Sequence, residues 1–100
     1  MKLEEITAQM QARVAEKGAI DGKKVKFDFT DDGQILVDGT TTPANVSNED
    51  GDADCTVTLE KDVFENIMAG EENPQMAFMS GKLKVDGDMG IAMQLGSLLG

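Results

Sequence analysis

Apolar residues recur along this chain at two spacings, and the switches between them divide it into elements. Leu3, Ile6, Met10 and Val14 follow one another at three- and four-residue steps, which predicts an amphipathic helix over residues 2–17 stopped by Gly18. The linker Ala19-Ile20-Asp21-Gly22 leads into strict alternation. Val25, Phe27 and Phe29 are separated by Lys26 and Asp28, the pattern of a strand with one buried face. Asp31-Asp32-Gly33 signals a turn, and Ile35 and Val37 carry a second strand from Gln34 to Asp38. Residues 40–47 offer a further short strand, weakened by Pro43.

An acidic loop, Ser47 to Asp54, precedes renewed alternation at Cys55, Val57 and Leu59. Helical spacing returns with Val63, Phe64, Ile67 and Met68 and ends at Gly70. Asn73-Pro74 is a helix start, because Asn accepts from free N–H groups and proline suits the first helical position. That helix carries Met76, Ala77, Phe78 and Met79. Leu83 and Val85 predict a last strand. Asp88 then caps a C-terminal helix bearing Met89, Ala92, Met93, Leu95, Leu98 and Leu99. The order α-β-β-(β)-β-α-α-β-α predicts an α+β domain, residues 1–100, with a mostly antiparallel sheet and helices on one face.

The stretch Ala53-Asp54-Cys55-Thr56-Val57-Thr58-Leu59 and the block from Asn73 to Leu98 closely resemble the sterol carrier protein-2 (SCP-2) family. Within that block, Asn-Pro-Gln, Gly-Lys-Leu-Lys and Gly-Asp-Met-Gly stand at the family's spacing. The resemblance is strong from about residue 53 and mainly architectural before it. It implies a five-stranded sheet covered by helices, with an apolar tunnel between them. It also implies non-enzymatic binding of a fatty acid, fatty acyl-CoA, sterol or phospholipid, without a cofactor. Gln75 falls at a position where the family can place a polar group, and Met93 and Gly96 fall at tunnel-facing positions. The chain ends Leu98-Leu99-Gly100 and lacks the targeting tripeptide of animal peroxisomal members, which favours a cytoplasmic address.

Charge narrows the partners. The 100 residues hold 19 acidic and 9 basic side chains, a net charge of −10, with Arg13 as the one arginine. Nucleic acid is an improbable partner, because phosphate binding needs clustered Lys and Arg. Attachment to anionic membranes is disfavoured, leaving at most transient contact through an apolar helix face. No apolar run approaches the roughly 20 residues of a membrane span. The acidic N-terminus does not read as a secretory signal. A single cysteine excludes an intramolecular disulfide and fits a reducing compartment. A monomer is the expected state.

Candidate chemistry is sparse. With no histidine, the commonest general base and metal ligand are absent. Cys55 alternates with Val57 and Leu59 on an apolar strand face, the setting of an inert thiol. Asp50-Gly51-Asp52-Ala53-Asp54 imitates the start of a calcium loop. Its sixth position is Cys55 where glycine is needed, and its twelfth is Lys61 where glutamate is needed. It reads as a solvated acidic turn.

The methionines suit a ligand wall, since their unbranched, polarizable side chains conform to varied shapes. Met79, Leu83, Met89, Met93 and Leu98 are the candidate lining, with Met68, Phe64 and Phe78 behind them. Lys82, Lys84 and the free N–H groups of the helix start at Asp88 are candidate headgroup partners, against a reading of the lysines as a solvated face. A protein-interaction module docking through its apolar C-terminal helix would use the same residues. The discriminator is the interior: a carrier holds a tunnel, whereas a docking module has a filled core and an exposed groove.

Overall fold

The computed structural model describes residues 2–18, 22–30, 33–41, 44–91 and 93–94. Among these residues, three helices and five strands follow in the order α1 (Leu3–Lys17), β1 (Lys24–Phe29), β2 (Gln34–Asp38), β3 (Asn45–Ser47), β4 (Cys55–Leu59), α2 (Lys61–Met68), α3 (Pro74–Met79) and β5 (Leu83–Gly87). Residues 89–91 and 93–94 are also helical. The third strand is confined to three residues, shorter than the 40–47 segment allowed.

One sheet runs β3-β2-β1-β4-β5. Three of its pairings are antiparallel, and β1 with β4 is parallel. The register places Ile35, Phe27, Val57 and Val85 in one row across the sheet, and Phe29, Leu59 and Leu83 in the next. Alternate residues point to opposite faces, so these rows share a face. The helices bury that face: Ile6, Met10 and Val14 of α1, Phe64, Ile67 and Met68 of α2, and Ala77 of α3 join it in one core. Phe64 packs its ring between Phe27 and Phe29, with centroids 5.3 and 5.1 Å away.

The acidic loop keeps Glu49, Asp50, Asp52 and Asp54 exposed, as expected of a solvated turn, and lies across the other face of the sheet. Lys26 Nζ meets Asp50 Oδ1 at 2.9 Å, and Gly51 lies over the buried Leu36 side chain. Asp54 exchanges two bonds with Lys24: its N–H donates to the Lys24 carbonyl, and its carboxylate accepts from the Lys24 N–H at 2.8 Å. Asn48 donates to the Gln34 carbonyl and the Thr7 hydroxyl. The crossover needed to set β4 parallel to β1 explains the path. Asp50 and Asp54 are thereby engaged with the sheet.

Helix α3 begins as its sequence dictates. Asn73 Oδ1 accepts from the N–H of Gln75 at 2.8 Å and of Met76 at 3.4 Å, with Pro74 at the first position. Removing this cap in Asn73→Ala is expected to destabilise the domain by about 1 kcal/mol. The check is a lower urea midpoint with an unchanged slope.

Candidate functional site

Exposed apolar side chains concentrate in one stretch of the chain. Among the described residues the exposed large hydrophobics are Met76 (61%), Phe78 (44%), Met79 (74%), Met89 (51%) and Met93 (80%). All belong to α3 or the helical residues after β5. Two local devices put them there.

The first is the α3–β5 junction. Ala77 is fully buried, which fixes the inward side of α3. Met76 and Met79 are three residues apart and therefore neighbours on the helix surface. The chain turns through Gly81 at φ +82°, and the Lys82 N–H returns to the Ala77 carbonyl at 2.9 Å. Leu83 then enters the sheet opposite Leu59 and is buried.

The second is the end of β5. Gly87 pairs with Cys55 at φ +115°, and a Cβ there would sit 2.4 Å from the Asp54 carbonyl oxygen. A side chain is therefore excluded, and the strand can close against Asp54 before turning. Asp88 starts the helix, with its Oδ1 accepting from the Gly90 N–H at 2.8 Å. Ile91 is buried in the core. Residue 91 lies about 200° around a helix from residue 89, so anchoring Ile91 turns Met89 outward. Met93, four residues on from Met89, shares its face.

Of the candidate lining residues, Phe78, Met79, Met89 and Met93 therefore lie at the surface, and Leu83 is part of the core. Gln75 is exposed at the start of α3. Met68 is buried, and it borders an open groove of about 670 Å³ between α1 and α2. Gln9, Arg13, Glu16, Glu65 and Asn66 make that groove polar. Arg13 Nη2 donates to the Met68 carbonyl at 3.0 Å, tying α1 to the end of α2. Gly96 and Leu98 lie outside the described residues. Phe64 is walled in by two rings and the sheet.

The expected tunnel is not shown by the described residues. Between sheet and helices the space is occupied by Phe27, Phe29 and Phe64, all buried. The headgroup partners also change. Lys82 Nζ is engaged by Glu72 Oε1 at 3.0 Å. The helix start is not free either, because the Asp88 side chain occupies the Gly90 N–H. Lys84 stays exposed. Burial pushes the Cys55 thiol above its ordinary pKa, with Asp88 and Asp86 adding to the effect, which fits an unreactive core thiol.

Ile91 escaped the sequence reading. Its signal was its spacing to Leu95 and Leu98, four and seven residues on; the methionines on either side drew the stripe elsewhere.

Known proteins share this architecture. Sterol carrier protein 2 of Homo sapiens is 51% identical over 51 residues, which is 51% of this chain and 9% of that protein. Peroxisomal multifunctional enzyme A of Dictyostelium discoideum is 40% identical over 67 residues, 67% of this chain and 13% of that protein. The chain thus matches only a small part of these relatives' length. The solution structure of sterol carrier protein-2 from Aedes aegypti in complex with palmitate superposes with a TM-score of 0.75 at 22% identity, covering 99% of this chain and 96% of that one. The same mixed sheet and helices therefore recur in that structure. The profile of the SCP-2 sterol transfer family matches residues 2–100, and with this sheet order beneath these helices the chain belongs to that family.

Proposed function

We propose that this chain binds a lipid without transforming it, laying the apolar part of a fatty acid, fatty acyl-CoA, sterol or phospholipid against α3 and the helical residues after β5. One observation carries the reading: among the described residues the exposed large hydrophobics are Met76, Phe78, Met79, Met89 and Met93, on the two elements that flank β5. Concentrated exposed apolar surface marks interaction sites. Family membership and the palmitate complex of the Aedes aegypti protein support lipid as the occupant. Each buried CH₂ contributes about 0.8 kcal/mol before ordering costs, so a long chain offers a large gross gain.

Gln75 and Lys84, exposed near this surface in sequence, are the polar groups proposed to meet a headgroup. A binding role rather than catalysis accords with a sequence lacking histidine and with a buried Cys55. No described helix is long and apolar enough to cross a membrane, and the free cysteine supports a reducing, cytoplasmic setting. We take the monomer as the working unit.

The contact of Phe64 with Phe27 and Phe29 between sheet and helices favours a second reading, docking of a protein partner on the same apolar surface. Palmitate titrated into the purified protein separates the two. A saturable one-to-one complex, with methyl NMR shifts at Met76, Met79, Met89 and Met93, is the expected result. Absence of binding, together with an organic extract of the purified protein free of lipid, would overturn the lipid reading in favour of docking.

A further inference from the structure

We infer that Met76, Met79, Met89 and Met93 form a sulfoxidation site, at which a peroxide converts the apolar surface into a polar one. The inference rests in part on the lipid reading above, because the consequence for ligand uptake assumes that this surface binds lipid.

The described methionines fall into two groups. Met10 and Met68 are core residues, at 0% and 8% exposure. The other four are each more than half exposed. Oxidation of a thioether follows access to the sulfur, so burial alone separates the groups. Cys55, the other oxidisable sulfur, is buried. The four accessible sulfurs fall into two local pairs, one on each side of β5. Met76 and Met79 are neighbours on α3, and Met89 and Met93 are neighbours on the next helical residues.

The step balances with hydrogen peroxide as the named oxidant. A sulfur lone pair attacks one peroxide oxygen, an S–O bond forms and the O–O bond breaks. Water carries away the other oxygen and both protons. The sulfur is oxidised by two electrons and the peroxide is reduced by two. The product is a polar, chiral sulfoxide where a flexible apolar group stood, and a pair of reductases specific for the two epimers reverses it.

The fold should tolerate the change. The four side chains stand in solvent, while α3 is held by the buried Ala77 and the Asn73 cap, and the last helical residues by Ile91. Oxidation therefore alters what the surface attracts rather than whether the domain folds.

The experiment treats the intact protein with dilute hydrogen peroxide and maps each methionine by peptide mass spectrometry over time. Met76, Met79, Met89 and Met93 are expected to gain oxygen at least about ten-fold faster than Met10 and Met68. Far-UV circular dichroism should stay unchanged, and the oxidised protein should elute earlier from a phenyl column. Uptake of a fluorescent fatty acid should fall about ten-fold and return after treatment with both reductases. In the Met76→Leu, Met79→Leu, Met89→Leu, Met93→Leu variant, the ratio of treated to untreated uptake should approach one.

Comparable oxidation rates at Met10, Met68, Met76, Met79, Met89 and Met93 would overturn the site. Selective oxidation with column retention unchanged would overturn the polarity switch. A selective map and earlier elution from a protein whose untreated form takes up no fatty acid would sustain the modification site and sink the lipid reading alone.

Discussion

Replacing Phe64 with alanine is expected to destabilise the domain by about 3–5 kcal/mol, the range for removing a fully buried ring. Phe64 is 0% exposed and its ring touches Phe27 of one sheet row and Phe29 of the next. Its loss removes two aromatic contacts and leaves a void that neighbours on a hydrogen-bonded sheet cannot close. A domain of this size holds about 5–15 kcal/mol in total, so the loss takes a large share. The thermal midpoint should fall by on the order of 15–30 °C. Urea unfolding followed by circular dichroism checks it, with the midpoint lowered and the slope retained. Phe64→Leu, which keeps most of the volume, should lose less than half as much. A loss below about 1 kcal/mol for the alanine variant would mean that the three rings are not the packed centre described. The result bears on the site because Phe29, Leu59 and Leu83 form the row on which β5, and through it α3, is seated.

Much of this scaffold was legible because its signals are local. The alternation of Val25, Phe27 and Phe29 fixes which side chains face the core, and the observed burial repeats it. Asn73-Pro74 opens a helix for reasons contained within three residues. The parallel pairing of β1 with β4 was not legible, because alternation says which face a strand buries and not which strand lies beside it. The path of residues 48–54 follows from that pairing. The Asp50 and Asp54 carboxylates stay solvated, as the sequence suggests, and what it does not reveal is that they also meet the Lys26 ammonium and the Lys24 N–H on the back of the sheet.

The candidate site was legible in composition and less so in geometry. Apolar residues at helical spacing do not reveal which of them faces inward when a helix has only begun. Ile91 takes the buried position, and Met89 and Met93 are left outside. Likewise, Asp88 was read as the start of a helix with N–H groups to offer a ligand, but the same carboxylate that starts the helix consumes the Gly90 N–H. Phe27, Phe29 and Phe64 were each assigned to apolar faces. Periodicity carries no measure of whether facing side chains meet or leave space, and here they meet.

Converting Met93 to lysine should weaken fatty-acid uptake by at least about ten-fold while leaving the fold intact. Met93 is 80% exposed, and substitutions at such positions usually change stability by less than about 0.5 kcal/mol. An acyl chain lying over the surface would have to cover an ammonium group or leave part of itself in water, and desolvating an unpaired charge is far costlier than one side chain's apolar contact gains. The sign of the charge sharpens the test. The substitution reduces the magnitude of a net charge of −10 by one, so long-range electrostatics would draw a carboxylate ligand closer. A loss of binding must then come from the polarity of the surface itself. Met93→Leu, apolar and of similar volume, should retain uptake within about two- to three-fold, as volume-conserving swaps do. Titration of a fluorescent fatty acid into both variants, with urea unfolding alongside, reads the effect. Unchanged uptake in the lysine variant would move the ligand away from this surface. The groove between α1 and α2, where Met68 borders Arg13 and Glu16, would then be the place to look, and a ligand there would have to be chosen for its polar groups rather than its length.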